Sequence, residues 1–192
     1  MFHKFVFALL LCMVFATGLS AGARPLFGTP LADDPLQARI YRLDNGLTVA
    51  FSVNRETPNI RGCIACNRCG MNGQCVFKDD FEFIRKHIVD ADLVAFATPM
   101  YYFGISAQIK AVIDRFYAIN GRIHVPKKAV LMMTYADNSR KKESAIISHY
   151  EVLLNYLGWT DAGQIIAPGV WPAGAINHTD YPEQAYLLGK RV

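Results

Sequence analysis

Three short apolar runs constrain this chain most: Leu93-Val94-Ala95-Phe96-Ala97, Ala129-Val130-Leu131-Met132-Met133 and Gln164-Ile165-Ile166-Ala167. A run without polar alternation belongs to a strand buried on both faces, the kind found in parallel sheets. The stretches between them carry helical spacing. Ile105, Ile109, Val112, Ile113, Phe116 and Ile119 fall on one helix face, and Ile146, Tyr150, Leu153, Leu154 and Leu157 on another, closed by Gly158. Asp80 can cap a helix through Ile88, and Pro182 opens a terminal one. Strands that alternate with helices of this length need crossover connections, so the expected class is α/β, a doubly wound parallel sheet with helices on both faces. A length of 192 residues suits a single domain of this kind with a full core.

In such sheets ligands sit beyond the carboxyl ends of the strands. The loop reaching that edge after the first run is Thr98-Pro99-Met100-Tyr101-Tyr102-Phe103-Gly104, followed by a helix start. Pro and Gly shape the turn, three aromatics follow one another, and amides are close by, as a flat conjugated ligand with polar edges requires. Burial of the same loop in a subunit contact is the alternative, and the two are compatible. After the second run, Thr134-Tyr135-Ala136-Asp137-Asn138 reaches the same edge and offers a second wall.

Four of the five cysteines, Cys63, Cys66, Cys69 and Cys75, form Cys-x2-Cys-x2-Cys-x5-Cys, with Gly62, Gly70 and Gly73 allowing a tight wrap. Paired knuckles across a longer spacer are usual for zinc, whereas a compact run is usual for thiolates around an iron–sulfur cube. A 4Fe–4S cluster, zinc, disulfides and free thiols all remain open on spacing. Charge excludes other classes. The 20 basic side chains against 16 acidic ones, a formal +4, are spread along the chain, which argues against a nucleic-acid or anionic-membrane binder; Lys127-Lys128 and Arg140-Lys141-Lys142 read as solvated loop residues.

The segments "GCIACNRCGMNGQCVFKDDF", "ADLVAFATPMYYFGISAQIKAVIDRF" and "KKAVLMMTY" resemble the flavodoxin-like NAD(P)H-dependent FMN reductases, a family that includes the iron–sulfur flavoproteins. The resemblance covers residues 60–192. It implies a flavodoxin-like fold, FMN as cofactor, NAD(P)H as electron donor, and a homo-oligomer with flavin sites near subunit contacts. It places the flavin-cradling loop on Thr98, Pro99, Met100, Tyr101, Tyr102, Phe103 and Gly104, with Ser106 and Gln108 opening the next helix. Thr134 and Tyr135 border the same site, and the family's cysteine motif falls on Cys63, Cys66, Cys69 and Cys75. The residues nominate no general acid or base.

The first 59 residues depart from that family, which opens with a strand and a phosphate loop of the type Gly-Ser-Pro-Arg-x-x-Gly-Asn-Thr. No such loop occurs here, so the expected sheet lacks its usual central first strand and its phosphate site. Met1-Phe2-His3-Lys4, the twelve apolar residues from Phe5 to Ala16 and Ala21-Gly22-Ala23 read instead as a secretory signal, residues 1–23, cut after Ala23. An uncleaved anchor or a buried strand is the alternative; the run is too short for a membrane span. Residues 24–38 read as a linker, and Ile40 to Leu43, Asp44-Asn45-Gly46 and Leu47 to Val53 as a β-hairpin.

That hairpin, with "YRLDNGLTV", resembles the opening strands of the insulinase-like zinc peptidases of the pitrilysin family. The resemblance stops before any chemistry, because none of His3, His87, His124, His149 and His178 belongs to a His-x-x-Glu-His motif. The chain thus reads as two pieces joined near Asn59: a leader with residues 24–59, and a flavodoxin-like body of residues 60–192. The leader implies export, whereas the reductase resemblance implies the cytoplasm. The expected activity is electron transfer from NAD(P)H through flavin to a small quinone-like, nitro or iron–sulfur acceptor. The rival is a non-catalytic secreted fragment whose cysteines form disulfides or bind zinc.

Overall fold

The computed structural model describes residues 59–172 and 174–192 fully and, before them, the backbone of four strands. These are β1 (Lys4–Leu10), β2 (Ala23–Pro25), β3 (Ala38–Leu43) and β4 (Leu47–Ser52). Then follow α1 (Phe81–Asp90), β5 (Leu93–Pro99), α2 (Ala107–Asp114), a 3-10 turn (Arg115–Ile119), α3 (Asn120–Ile123) and β6 (Lys128–Thr134). A second 3-10 turn (Arg140–Glu143), α4 (Ser144–Leu157), β7 (Thr160–Ala167) and α5 (Tyr181–Arg191) complete the chain.

The strands form one sheet in the order β2-β3-β4-β1-β5-β6-β7. β1, β4, β5, β6 and β7 run parallel, with Val6 opposite Leu93, Phe96 opposite Leu131 and Met132 opposite Ile165, while β2, β3 and β4 form an antiparallel margin. The α/β class and the parallel sheet are therefore as the apolar runs predict, and the strand order agrees with the flavodoxin-like fold that the family resemblance implies. Successive residues of β5 enter different cores. Val94 and Phe96 pack with Ile84, Ile88, Val112, Phe116, Tyr150 and Leu154 from α1, α2, the following turn and α4, whereas Leu93 and Ala95 pack with Leu188 of α5. Two buried faces on one strand are what an unbroken apolar run encodes.

The central place expected to be empty is occupied. β1 lies between β4 and β5 and pairs in parallel with both. An apolar run of this length fits the core of a leader and the middle of a parallel sheet equally well, and its amino acids alone do not separate the two. Cleavage after Ala23 would withdraw β1 and part β4 from β5. The hairpin expected around Asn45-Gly46 is present as β3 paired with β4, Arg42 facing Thr48. Its turn residues 44–46 lie outside the described residues, as do residues 11–22, where a phosphate loop would follow β1, and the rest of the 24–38 linker beyond Ala23–Pro25 and Ala38.

Local details refine other expectations. Asp80 stands at the start of α1 without capping it, since its carboxylate accepts from the Asn59 N–H at 3.0 Å and Asp79 takes the Phe81 N–H at 3.3 Å. The helix expected through Ile119 is α only to Asp114 and tightens into the 3-10 turn. Gly158 ends α4 at φ +70°, as its position predicts. Among the described residues no helix is long and apolar enough to cross a membrane.

Candidate functional site at the carboxyl edge of the sheet

β5, β6 and β7 all deliver their carboxyl ends to one edge, and the loop Thr98 to Gly104 rises from it. Its base is fixed by buried bonds: Thr98 Oγ1 accepts from the Ser106 N–H at 3.0 Å and donates to the Pro99 carbonyl at 2.7 Å. Ser106, wholly buried, caps α2 by accepting from the Ile109 N–H at 3.4 Å. The Met100 N–H donates to the Thr134 carbonyl at 2.9 Å, tying the loop to β6.

Above this base the chain closes a two-residue hairpin. The Tyr101 N–H donates to the Gly104 carbonyl at 3.0 Å and the Gly104 N–H returns to the Tyr101 carbonyl at 2.9 Å. Tyr102 at φ +46° and Phe103 at φ +64° are both left-handed, a conformation that Asn-Gly or Gly-Gly normally supplies. Each bulky residue held there costs about 1–2 kcal/mol. The rings gain no burial in return, being 58%, 100% and 55% exposed at Tyr101, Tyr102 and Phe103. The amides of Tyr102 and Phe103 stay outside the turn's own bonds. A rigid, strained tip with uncovered rings and spare donors suits a flat conjugated ligand with polar edges.

The predicted second wall stands beside it. Tyr135, buried at the end of β6, is held by its N–H on the Ala167 carbonyl (3.1 Å) and by the Val170 N–H on its own carbonyl (2.9 Å). Its hydroxyl donates to Glu143 Oε2 at 2.6 Å, and burial together with this carboxylate raises the phenol well above its ordinary range. Arg140 Nε meets the other Glu143 oxygen at 3.4 Å. Asp137 pairs with Lys142 and accepts from the Ser139 N–H at 2.7 Å, and these bonds hold its carboxyl below the usual range. The Gly169 N–H donates to the Asp137 carbonyl at 3.0 Å; Gly169 sits at φ +70°, and a Cβ there would come within 2.3 Å of Asn138 Oδ1. Lys142 Nζ lies 6.0 Å from the Phe103 ring centroid, joining the second wall to the hairpin. Exposed Trp171 follows β7 at this end.

All nine predicted cradle residues thus belong to one edge. Glu143, Gly169 and Trp171 were not singled out from sequence, and Lys142, read there as a solvated loop residue, pairs with Asp137. Glu143 lies three residues after Arg140, an ion-pair spacing on a helical turn, which is the one signal that marked it.

The cysteine segment folds differently. Ala65, Asn67, Gly70 and Met71 have positive φ, and Gly73 is packed so closely that a Cβ would stand 2.7 Å from the Cys69 carbonyl oxygen. The Ala65 N–H approaches Cys63 Sγ at 3.4 Å. Cys69 and Cys75 lean on the core, whereas Cys66 is exposed. All four are free thiols, and among the described residues no group of three or more His, Cys, Asp or Glu is arranged to hold a metal ion. The structure thus brings the cradle together and does not bring the four thiols together.

A buried charge anchors the chain on either side of the segment, at Arg61 and Asp79. Arg115, wholly buried, donates from Nη1 to Asp79 Oδ2 at 2.8 Å and to the Arg61 carbonyl at 3.0 Å, with its guanidinium 4.8 Å over the Phe81 ring and 5.4 Å over Phe77. A cavity of about 360 Å³ lies at the opposite, amino-terminal end of the strands between Asp92, Lys127, Lys128 and Val192, away from every predicted site residue.

Comparison with known proteins agrees with this geometry. Residues 47–169 match the family described as NADPH-dependent FMN reductase, a match that begins upstream of Asn59. An iron-sulfur flavoprotein of Archaeoglobus fulgidus is 27% identical over 162 residues, 84% of this chain and 72% of the relative. A second, from Methanocaldococcus jannaschii, is 32% identical over 98 residues, 51% of this chain, and the match spans only about half of that relative, 49%. Among solved structures, the Trp repressor binding protein of Bacillus subtilis superposes with a TM-score of 0.52 at 28% identity over 59% of this chain and 78% of its own. An NAD(P)H:quinone oxidoreductase from Methanothermobacter marburgensis reaches 0.55 at 16% identity over 98% and 94%, which speaks to the fold alone. A parallel sheet whose carboxyl edge carries an aromatic hairpin and a match over most of the chain lead to one assignment: this protein belongs to the NADPH-dependent FMN reductase family.

Proposed function

We propose that this FMN-dependent NAD(P)H oxidoreductase binds its flavin against the Tyr101–Gly104 hairpin and passes electrons to a small diffusible acceptor of the quinone or nitro class. The observation that carries the reading is the hairpin itself, two bulky left-handed residues displaying uncovered rings where doubly wound sheets bind ligands. FMN, when bound, supplies the redox chemistry, accepting an electron pair from the nicotinamide and releasing it to the acceptor.

The chain's own residues bind and orient. Thr98 and Ser106 keep the hairpin upright, Tyr101, Tyr102 and Phe103 offer ring faces, and the Tyr102 and Phe103 amides offer donors to a polar ring edge. The Tyr135–Glu143–Arg140 chain holds the second wall, with the Tyr135 proton kept on its oxygen by burial and by Glu143. No acid or base among these residues is needed for the transfer. The exposed rings and Trp171 also favour a second copy of the chain covering the site, consistent with a homo-oligomer.

Reconstitution with FMN tests the reading. The chain should retain about one flavin per protomer, be reduced anaerobically by NADPH, and be reoxidised by a benzoquinone or a nitroaromatic. Failure to retain flavin, with the fold intact by circular dichroism, would overturn it. The rival non-catalytic fragment predicts that outcome.

A further inference from the structure

The chain has two tryptophans, and they are mounted in opposite ways. Trp159 is buried, its Nε1–H donates to the Ile123 carbonyl at 2.8 Å, and its indole packs against Phe96 and Phe116. A core tryptophan has its ring covered and its N–H spent in this way. Trp171 is 77% exposed, and among the described residues its indole has neither a ring contact nor a hydrogen-bond partner. Its backbone is nevertheless fixed on both sides. Val170 is buried, with its N–H on the Tyr135 carbonyl. Beyond Pro172, whose carbonyl accepts from the Ala175 N–H at 3.1 Å, Ile176 is buried in the same small cluster as Val170.

The place of Trp171 follows from the sheet. Pairing of β5, β6 and β7 continues past the strand ends, through the Met100 N–H on the Thr134 carbonyl and the bonds that join Tyr135 to Ala167 and Val170. Tyr101 and Trp171 therefore leave the sheet on opposite sides of the β6 extension, two strand spacings or about 10 Å apart. Between them lies Ala136, exposed and carrying only a methyl group. Hairpin rings, a small floor and an indole thus bound a slot, wide enough at its base for two flat rings at contacts of about 3.5 Å.

We propose that Trp171 is the specificity-determining residue for the electron acceptor: its face takes a flat ring, and its Nε1–H donates to a carbonyl or nitro oxygen on that ring. This rests on the reading of the hairpin as the flavin seat, which fills the other half of the slot. A ring face with one unused donor at its edge matches a flat conjugated acceptor with peripheral oxygens and offers little to a compact inorganic one. The nicotinamide arrives on a dinucleotide, whose ribose and phosphate groups give it other handles. A small acceptor has only its ring and its oxygens, so loss of the platform falls on the acceptor.

Tryptophan emission of the full FMN-reconstituted chain, titrated with 2-methyl-1,4-naphthoquinone in the absence of nicotinamide, reads this without turnover. The wild type should show saturable quenching. Trp171→Phe, which leaves Trp159 as the sole indole, should show only the weak linear quenching of a buried one. In turnover with NADPH, Trp171→Ala should lower the ratio of kcat/KM for the naphthoquinone to that for ferricyanide by about three- to ten-fold, the worth of one aromatic stack. Trp171→Phe should restore most of that ratio, and Tyr186→Ala, which removes an exposed ring on α5, should leave it unmoved. Quenching that does not saturate, an unchanged ratio in Trp171→Ala, or a rise in KM confined to NADPH overturns the proposal. So does a change in sedimentation with the ratio intact, which would assign Trp171 to a contact between copies of the chain. A wild type that holds no flavin, yet shows saturable quenching that is lost with Trp171, would sink the flavin site above and sustain the platform.

Discussion

The aromatic hairpin and the cysteine segment look alike in the sequence, each a short glycine-marked stretch dense in one kind of cofactor-holding side chain. They are built in opposite ways. The hairpin is held by backbone bonds at its tip and a buried Thr98–Ser106 bond at its base, and it spends conformational energy to leave three rings uncovered. The cysteine segment is held from outside, by the buried Arg115–Asp79 pair, the Asp80–Asn59 bond and two half-buried thiols on the core, and its four sulfurs do not converge. Both regions carry left-handed residues at exposed positions, Tyr102 and Phe103 in one and Ala65, Asn67 and Gly70 in the other, so what separates them is anchoring: the hairpin closes on its own backbone, whereas the cysteine segment leans on its neighbours.

The largest effect should come from the pin. Arg115→Met leaves Asp79 buried and unpaired, and urea unfolding should report a loss of about 3–5 kcal/mol, with Cys69 and Cys75 becoming accessible to a thiol reagent. If stability falls by less than about 1 kcal/mol, the segment is not held by charge.

Gly73→Ala forces a Cβ against the Cys69 carbonyl and should cost about 1–3 kcal/mol while flavin retention stays near that of the wild type. Equal damage to both properties would mean that the two regions form one site.

The hairpin should respond in the reverse sense. Tyr102→Gly with Phe103→Gly relieves the left-handed strain, so the thermal midpoint should hold or rise while FMN affinity falls about ten-fold, near 1.4 kcal/mol. A lower midpoint with unchanged affinity would make the strain structural.

Tyr135→Phe leaves Glu143 without its buried donor and should cost about 1–2 kcal/mol. The smallest effect belongs to pH. Because Lys142 and the Ser139 N–H depress Asp137, the Asp137 latch stabilises the second wall above the ordinary carboxylate value and is lost as pH falls through the depressed one. Phe103-region fluorescence and flavin retention should therefore stay flat from neutral pH down to about 4 and change only below it. A change centred near neutrality would point to a different group.

How much of this was legible varied by region, for physical reasons. Leu93 to Ala97, Ala129 to Met133 and Gln164 to Ala167 announced a parallel sheet because both of their faces are apolar, and sheet direction then placed Thr98 to Gly104 and Thr134 to Tyr135 at its carboxyl edge. The apolar residues from Phe5 onward were ambiguous, since export signals and central strands are selected for the same property. The Arg115–Asp79 contact spans 36 positions, and no local spacing marks a pair that far apart. The cysteine spacing was clear, but spacing states which sulfurs can meet and not whether they do.

The most direct test is a visible absorption spectrum of the purified full chain, with flavin content per protomer, before and after anaerobic NADPH. The account predicts close to one FMN, bleached by NADPH in the wild type and poorly retained once Tyr102 and Phe103 are replaced by glycine. A folded chain without flavin, or one whose flavin is indifferent to those two replacements, would contradict it.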